Sequence, residues 1–404
     1  MSPFLTRMNY LSSKLNFDRT ENELAKLLHQ AKEQENFIDL TSSNPTLFFE
    51  YETELIQKAL SNAKIFPYAP DPNGLQTARQ EIVKYYQSKG RNLDIDNLFF
   101  TSGTSEAMSF ILKAICNLNS EILLPTPGYP LYDFIVQLEN TSAKNYCLYP
   151  ESTNDPNKLD WKVDFEKLKK SITKNTKAMV IVEPHNPTGS RLNPEDAARV
   201  TRLANDKNLI LIIDEVFSDY YPDYYELNPY LEANCIYLNG LSKTLALPQL
   251  KLSWIYLSGK QEFVSQMKEA LEIISDTYLS VNTPVQTGLE ILLQTANSIQ
   301  NKIKTQIKEN ERIIYKNLKD NPSIEFFIPE GGWYLLLKLK TNVEDENFSY
   351  QFLKDQGVYT YPGYMFDMPD DKYIVISLLP DRDRFEEGTR RLIHFLETIK
   401  PNFK

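Results

Sequence analysis

The sequence has few of the features that mark secreted, disulfide-stabilised or membrane-spanning proteins. It contains only three cysteines, Cys116, Cys147 and Cys235, and none of them forms a CxxC pair. This spacing does not predict a disulfide framework, and it favours a reducing compartment. The beginning of the chain lacks the apolar stretch of a signal peptide, and no run elsewhere approaches the ~20 apolar residues of a membrane helix. We therefore expect a cytoplasmic protein that does not enter a membrane.

An excess of basic charge is also missing. The 44 lysine and arginine residues are outnumbered by 54 aspartate and glutamate residues, for a formal net charge of −10, and no long basic run occurs. Nucleic acids and anionic membranes attract basic surfaces, so neither is an expected partner. No internal repeat is visible, and none of the motifs predicts a metal site.

What the chain does contain, from about residue 75 onward, is an alternation of helix and strand signals. A helix is predicted over 194–207, beginning at Pro194 with Asn193 as its N-cap. The five apolar residues 209–213 (LILII) are typical of a strand buried on both faces. Strands separated by helices predict an α/β fold with a mostly parallel sheet between helical layers. The part after about residue 320 predicts a smaller α+β domain.

Four short segments follow predicted strands, and open α/β sheets bind ligands at that edge. The first, residues 101–107 (TSGTSEA), joins a strand to a helix. Gly103 and the amides of Thr104 and Ser105 either hold a phosphate there or belong to an ordinary capped helix start. The second, residues 185–189 (HNPTG), is either a ligand-binding segment or a plain Pro-Gly turn.

The other two segments place charged groups in apolar surroundings. Asp214 follows the apolar strand 209–213, where a carboxylate needs a cationic partner. A protonated pyridine nitrogen would serve, and so would a buried lysine or arginine. Lys243 lies between strand 235–238 and the apolar residues 245–248. A lone lysine is usually a solvated surface charge, but in an apolar setting its pKa falls and the amine can form an imine.

In their order and spacing, these four segments resemble the class I/II pyridoxal-5′-phosphate (PLP)-dependent aminotransferases of fold type I. Asn186 and Asp214 are 28 residues apart, and Asp214 and Lys243 are 29 residues apart. Each segment alone is a weak signal, but all four in order are specific. The resemblance spans residues 40 to about 390 and includes the small-domain phrase 329–333 (PEGGW).

The resemblance implies a three-layer large domain with a mostly parallel mixed sheet, plus a smaller α+β domain. Residues 1–48 are expected to form an N-terminal arm and part of the small domain. Residues 49–285 are expected to form the PLP-binding large domain, and residues 286–404 the small C-terminal domain.

The resemblance also implies roles for ten residues. Lys243 would form a Schiff base with PLP and later move a proton between the substrate α-carbon and the cofactor, while Asp214 would keep the pyridine nitrogen protonated. Asn186 would lie beside the phenolic oxygen. Tyr129 would stack on the ring, unless it is a core tyrosine. Five residues would bind the phosphate within the same subunit: Gly103, Thr104, Ser105, Ser242 and Lys251. Tyr68 would bind the phosphate of the neighbouring subunit, in a homodimer with a shared active site.

Three positions near the expected cofactor depart from the family pattern. Lys251 stands where the family has an arginine, which keeps the charge but loses the bidentate fork. Gly240 replaces a serine. Phe217 replaces a tyrosine whose hydroxyl stabilises the phenolic oxygen, so Asn186 would act there alone. We therefore expect the lysine–PLP imine to have a higher pKa than in a Phe217→Tyr variant.

The most consequential departure concerns the substrate carboxylate. The family usually carries an arginine in a strand near the C-terminus, but this chain has Val375 at that position. Valine cannot bind a carboxylate. Either another basic residue replaces the arginine, with Arg382 and Arg384 nearest in sequence unless they only begin an exposed helix, or the substrate lacks a conventional α-carboxylate.

The sequence thus predicts a PLP-dependent aminotransferase that moves an amino group between an amino acid and a 2-oxo acid. The alternative keeps PLP and the fold but changes the reaction to that of a decarboxylase, lyase, cyclase or amine oxidase. A non-catalytic regulatory protein on the same fold is a third reading, which the intact Asp214 and Lys243 oppose. Nothing in the sequence identifies the amino donor or acceptor.

Overall fold

The structure, a computed structural model, describes residues 12–15, 20–61, 65–66, 68–226, 229–279 and 281–399. Its strands are, in chain order, β1 (Ile38–Asp39), β2 (Leu98–Thr101), β3 (Glu121–Thr126), β4 (Ser142–Ser152), β5 (Leu159–Val163), β6 (Thr176–Val182), β7 (Ile210–Asp214), β8 (Cys235–Gly240), β9 (Ser253–Ser258), β10 (Ile324–Phe327), β11 (Tyr334–Leu339), β12 (Val358–Tyr359), β13 (Tyr361–Pro362) and β14 (Tyr373–Ser377). Its α-helices are α1 (Glu23–Ala31), α2 (Thr53–Leu60), α3 (Gln76–Ser88), α4 (Thr104–Ile115), α5 (Leu131–Leu138), α6 (Phe165–Ser171), α7 (Pro194–Lys207), α8 (Leu241–Thr244), α9 (Gln261–Tyr278), α10 (Thr283–Thr287), α11 (Leu289–Gln294), α12 (Ala296–Leu318), α13 (Asp345–Gln356) and α14 (Arg382–Thr398).

Local sequence signals fix the bounds of helix α7 and strand β7. The side chain of Asn193 accepts a hydrogen bond from the backbone N–H of Asp196, and Pro194 occupies the first turn of α7. The helix ends where Asn208 adopts a left-handed conformation with φ of 53°, which asparagine tolerates. The chain then enters β7, whose apolar residues run up to Asp214.

The large sheet has eight strands in the order β2-β9-β8-β7-β6-β3-β4-β5. Strands β8, β7, β6, β3 and β4 are parallel neighbours, whereas β9 runs antiparallel to both β8 and β2, and β5 runs antiparallel to β4. Strand β2 therefore points the same way as β8. The predicted mostly parallel mixed sheet is confirmed, and the carboxyl ends of β2, β3, β6, β7 and β8 all lie at one edge.

Helices cover both faces of this sheet. In β7, Leu211 and Ile213 pack with Ala197 of α7, whereas the intervening Ile212 packs in the cluster of Met108 and Phe110 of α4. Because neighbouring residues of a strand point to opposite faces, the two clusters lie on opposite sides of the sheet. This is the predicted three-layer arrangement.

A second, antiparallel sheet of four strands has the order β10-β11-β14-β13. Helices α12, α13 and α14 contribute to its core through residues such as Ile314, Phe348 and Phe395. In addition, β1 pairs in parallel with β12, which joins the N-terminal part of the chain to the C-terminal part. The predicted domain bounds at 48 and 285 remain a prediction.

Two further observations concern the cysteines and the helices. Cys116, Cys147 and Cys235 are all free thiols. Among the described residues, no helix combines the length and the apolar character needed to cross a membrane.

Candidate active site

A pocket of about 220 Å³ opens at the edge where the parallel strands end. Seven of the ten predicted site residues line it: Thr104, Ser105, Tyr129, Asn186, Asp214, Ser242 and Lys243. They are brought together because β2 leads into α4, β3 leads towards Tyr129, β6 towards Asn186, and β8 into α8, while β7 ends on Asp214. The expectation that these strand ends meet at one edge is thus met in the structure.

Lys243 lies at the wall of this pocket in largely apolar surroundings. Its Nζ is 4.5 Å from the centre of the Trp333 ring and 5.1 Å from that of Phe217. Loss of solvent lowers the pKa of Lys243 from 10.5 to about 8, although the negative charge of Asp214 opposes the shift. A lysine with such a pKa is partly neutral near physiological pH, and only the neutral amine is a nucleophile.

Several hydrogen bonds hold the backbone around Lys243. The hydroxyl of Tyr220 donates to the carbonyl oxygen of Lys243 at 2.9 Å. The hydroxyl of Thr244 donates to the buried Asp219 at 3.0 Å, and the side-chain amide of Gln300 donates to the carbonyl oxygen of Thr244 at 2.9 Å. Side chains from distant parts of the chain therefore fix the backbone around Lys243.

Asp214 is buried and its carboxylate receives two hydrogen bonds. The backbone N–H of Val216 donates to Oδ1 at 3.1 Å, and the hydroxyl of Tyr132 donates to Oδ2. Burial raises the pKa of Asp214, and both hydrogen bonds lower it again because they favour the ionised form. The pKa of Asp214 is raised on balance, so a cation facing the carboxylate would favour its ionised form.

The predicted phosphate residues lie at the start of α4. A methyl carbon built on Gly103 would lie 3.3 Å from Nζ of Lys251, so the lysine ammonium sits beside the glycine. Thr104, Ser105 and Ser242 line the adjacent part of the pocket. A helix N-terminus, an ammonium group and three hydroxyls form a set of donors that suits a phosphate dianion.

Gly103 and Lys251 lie beside each other but are not among the lining residues. The third predicted residue outside the pocket is Tyr68. It is 77% exposed and is not among the lining residues. Tyr129 does line the pocket and is 42% exposed, so the alternative of a core tyrosine does not describe it. Arg382 and Arg384, proposed as replacements for the missing arginine, begin the exposed face of α14 and face Glu386 and Asp381. Neither lines the pocket.

Three polar lining residues were not predicted as site residues: Tyr132, Ser43 and Tyr334. Tyr132 follows Tyr129 by three residues and lies in the first turn of α5, so helical spacing could have placed it beside the ring position. Ser43 and Tyr334 share a hydrogen bond of 2.8 Å across 291 residues of sequence. No local sequence pattern predicts that contact.

The fold and the pocket together define the class of protein. A lysine of lowered pKa and a buried carboxylate share one pocket at the carboxyl edge of a mixed sheet, beside a cluster of hydrogen-bond donors that would suit a phosphate. These are the features expected of a PLP-dependent transferase of fold type I.

More particularly, the chain belongs to the family of class I and II aminotransferases, whose family model matches residues 35–387. A glutamate-pyruvate aminotransferase of Escherichia coli (strain K12) is 27% identical over 377 residues, which cover 90% of this chain and 91% of that protein. A tyrosine aminotransferase of Mus musculus is 26% identical over 381 residues, covering 89% and 82%, respectively.

Solved structures agree with this placement. An aminotransferase from Escherichia coli superposes with a TM-score of 0.80 at 26% identity, covering 96% of this chain and 98% of that one. The alanine aminotransferase from Pyrococcus furiosus has the same fold, with a TM-score of 0.85 at 24% identity over 96% and 100% of the two chains. The predicted enzyme class and cofactor are confirmed: the chain is a PLP-dependent aminotransferase, and its substrates are amino and oxo acids.

Proposed function

We propose that Lys243 is the lysine to which PLP is attached, and that it moves the proton while an amino group passes between an amino acid and a 2-oxo acid. The observation that carries this proposal is the presence of Lys243 and Asp214 in one pocket, where burial lowers the lysine pKa to about 8. When bound, PLP supplies an electron sink for the carbon that loses its proton. The amine of Lys243 would take that proton from the substrate α-carbon.

The residues present fit the cofactor. Oδ1 of Asn186 is buried and has no hydrogen-bond partner among the described residues, so its side chain is left to pair with a bound group. Asp214 would face the pyridine nitrogen, held in place by Tyr132 and the N–H of Val216. Tyr129 would cover the ring.

The phosphate would bind beside Gly103, with Thr104, Ser105, Ser242 and Lys251 as donors. The ammonium of Lys251 lies near the start of α4, where the helix dipole also favours an anion. A lysine offers one point charge where an arginine would offer two parallel hydrogen bonds. The chain is therefore expected to hold the phosphate less rigidly than a version with arginine.

Two further elements of the proposal concern the assembly and the location. We propose a homodimer in which the exposed Tyr68 reaches the phosphate of the neighbouring subunit, because its side chain is 77% exposed. We also propose that the protein works in the cytoplasm, since its three cysteines are free thiols.

Borohydride trapping tests the role of Lys243. Reduction of the PLP-loaded protein should fix the cofactor on the peptide that contains Lys243, as read by mass spectrometry. A Lys243→Ala variant should lose the label, whereas the exposed lysine variant Lys260→Arg should keep it. A label on any other residue of the wild-type protein would refute the assignment.

An amino-acid panel tests the reaction. Mixing the loaded protein with single amino acids and no acceptor should convert the visible absorbance to that of pyridoxamine phosphate, because transamination stops after one half-reaction. The names of the relatives and of the solved structures make alanine, glutamate and tyrosine the first members of the panel. Recovery of the original spectrum with release of CO₂ or ammonia would indicate a different PLP reaction.

A further inference from the structure

The side of the pocket formed by the small sheet carries hydroxyl groups and no cation. Tyr334 of β11 and Ser43, from the segment after β1, line it, with Tyr129 nearby. Among the lining residues, which all belong to the described part of the chain, Lys243 is the one cationic side chain, and its amine is committed to the reaction. A substrate carboxylate placed on this side would meet no guanidinium.

Strand β14 shows why no arginine reaches this place. Val375 is fully buried and pairs with Leu336 of β11 and Tyr361 of β13. Tyr334 pairs with Ser377, two residues further along, so Tyr334 and Val375 are diagonal neighbours on the same face of the sheet. The short apolar side chain of Val375 thus lies on the same face of the sheet as Tyr334.

The hydrogen-bond directions define what this surface can recognise. The hydroxyl of Tyr334 donates to Oγ of Ser43 at 2.8 Å. Burial raises the pKa of Tyr334, so the phenol stays protonated. The proton of Ser43 remains for a ligand, and the phenol oxygen of Tyr334 remains as an acceptor.

One donor beside one acceptor matches an alcohol or an amide better than a carboxylate. A carboxylate only accepts hydrogen bonds, so it would leave the Tyr334 oxygen unmatched. It would also lose hydration without gaining a counter-charge. A neutral group that both donates and accepts can use both hydroxyls.

We propose, on the basis of the transamination assigned above to Lys243, that the pocket also aminates and deaminates substrates with a neutral polar group in place of the α-carboxylate, namely amino alcohols and amino-acid amides. Ser43 and Tyr334 would bind that group. In the overall reaction the amine carbon exchanges its amino group and hydrogen for a carbonyl oxygen, and the 2-oxo acid makes the reverse exchange. Atoms and electrons balance without another reactant.

The test uses three amines with the same side chain: the amino acid that the panel ranks first, its amide and the corresponding amino alcohol. Single-turnover spectra of the loaded protein give kcat/KM for each of them. The amide and the alcohol should react within about tenfold of the acid, because no ion pair separates them. If the acid is favoured over both by more than about 100-fold, a cation binds it and the inference is wrong.

Variants of the two hydroxyls give an independent readout. The α-methyl analogues of the three amines have no α-hydrogen, so a spectral titration measures their binding without turnover. Tyr334→Phe and Ser43→Ala should each weaken binding of the alcohol analogue by about tenfold, the value of one hydrogen bond. The exposed Tyr149→Phe serves as the matched control. Unchanged binding in both hydroxyl variants would overturn the inference.

These outcomes separate the two proposals. A strong preference for the acid overturns the role of Ser43 and Tyr334 but leaves transamination at Lys243 intact. If the first panel finds no amino acid that changes the spectrum, transamination at Lys243 fails and this inference fails with it.

Discussion

Capture of PLP by the cofactor-free protein should follow the ionisation of Lys243, with a midpoint near pH 8. The pKa of Lys243 is lowered from 10.5 to about 8. Because each pKa unit changes the neutral fraction tenfold, Lys243 has about 300 times more neutral amine than an ordinary lysine at any pH well below both values. The capture rate should therefore rise about tenfold per pH unit below 8 and level off above it.

Stopped-flow absorbance after mixing with PLP, from about pH 6.5 to about pH 10, measures this dependence. The same series with N-acetyl-lysine corrects for the ionisation of PLP itself. Asp214→Asn should move the midpoint below that of the wild type, because the Asp214 charge raises the lysine pKa. A corrected rate that continues to rise through pH 10, as for an ordinary lysine, would refute the reasoning.

Substitutions at three other positions have defined expected outcomes. In Phe217→Tyr, an added hydroxyl beside the cofactor should lower the pH midpoint of the visible absorbance of the loaded protein; an unchanged midpoint would contradict this. Lys251→Arg should tighten PLP binding several-fold and Lys251→Ala should weaken it by about tenfold to 100-fold, read by fluorescence titration, with equal affinities contradicting a phosphate role. Arg91→Leu should destabilise the protein by about 3–5 kcal/mol in urea unfolding, because it leaves the buried Glu215, 2.7 Å from the guanidinium, without its cation. A loss below about 1 kcal/mol would mean that the pair behaves like an exposed one.

The part of the site that could be predicted is the part that strand ends assemble. Asp214 ends a strand of the large sheet, and Lys243 and the start of α4 each follow one within a few residues. Once those strands are read as parallel, their ends must meet at one edge, and no knowledge of packing is needed. The bounds of α7 were predictable for a similar reason, since Asn193 and Pro194 act within a single turn.

The edge of the large sheet was harder to predict. Strand β4 continues to Ser152 because it forms a hairpin with β5. The outer part of β4 is polar and partly exposed, and β5 alternates between buried and half-buried residues. A polar edge strand has little hydrophobic signature, so its pairing is set by the neighbouring strand rather than by its own composition.

The substrate side of the pocket could not be predicted, because it is made by contacts between distant segments. Ser43 and Tyr334 meet because β1 pairs with β12, which fixes the segment after β1 against the small sheet that contains β11. The sequence did show that Val375 cannot bind a carboxylate. It could not show that Arg382 and Arg384 point away on α14.

Charge is unevenly distributed along the pocket, and this affects how tightly the pocket would bind the cofactor and how tightly it would bind the substrate. Lys251 and the start of α4 concentrate positive charge at the proposed phosphate position, whereas Ser43 and Tyr334 are neutral. A phosphate is a dianion whose position need not change during the reaction, so a fixed charge can hold it permanently. The amino donor and the acceptor must exchange in every turnover, and a neutral hydrogen-bonding surface releases either one without breaking an ion pair. On this argument, a pocket without the arginine binds a carboxylate less tightly but accepts different α-substituents. Its specificity then depends on which substrate presents both a hydrogen-bond donor and an acceptor to the hydroxyls of Ser43 and Tyr334.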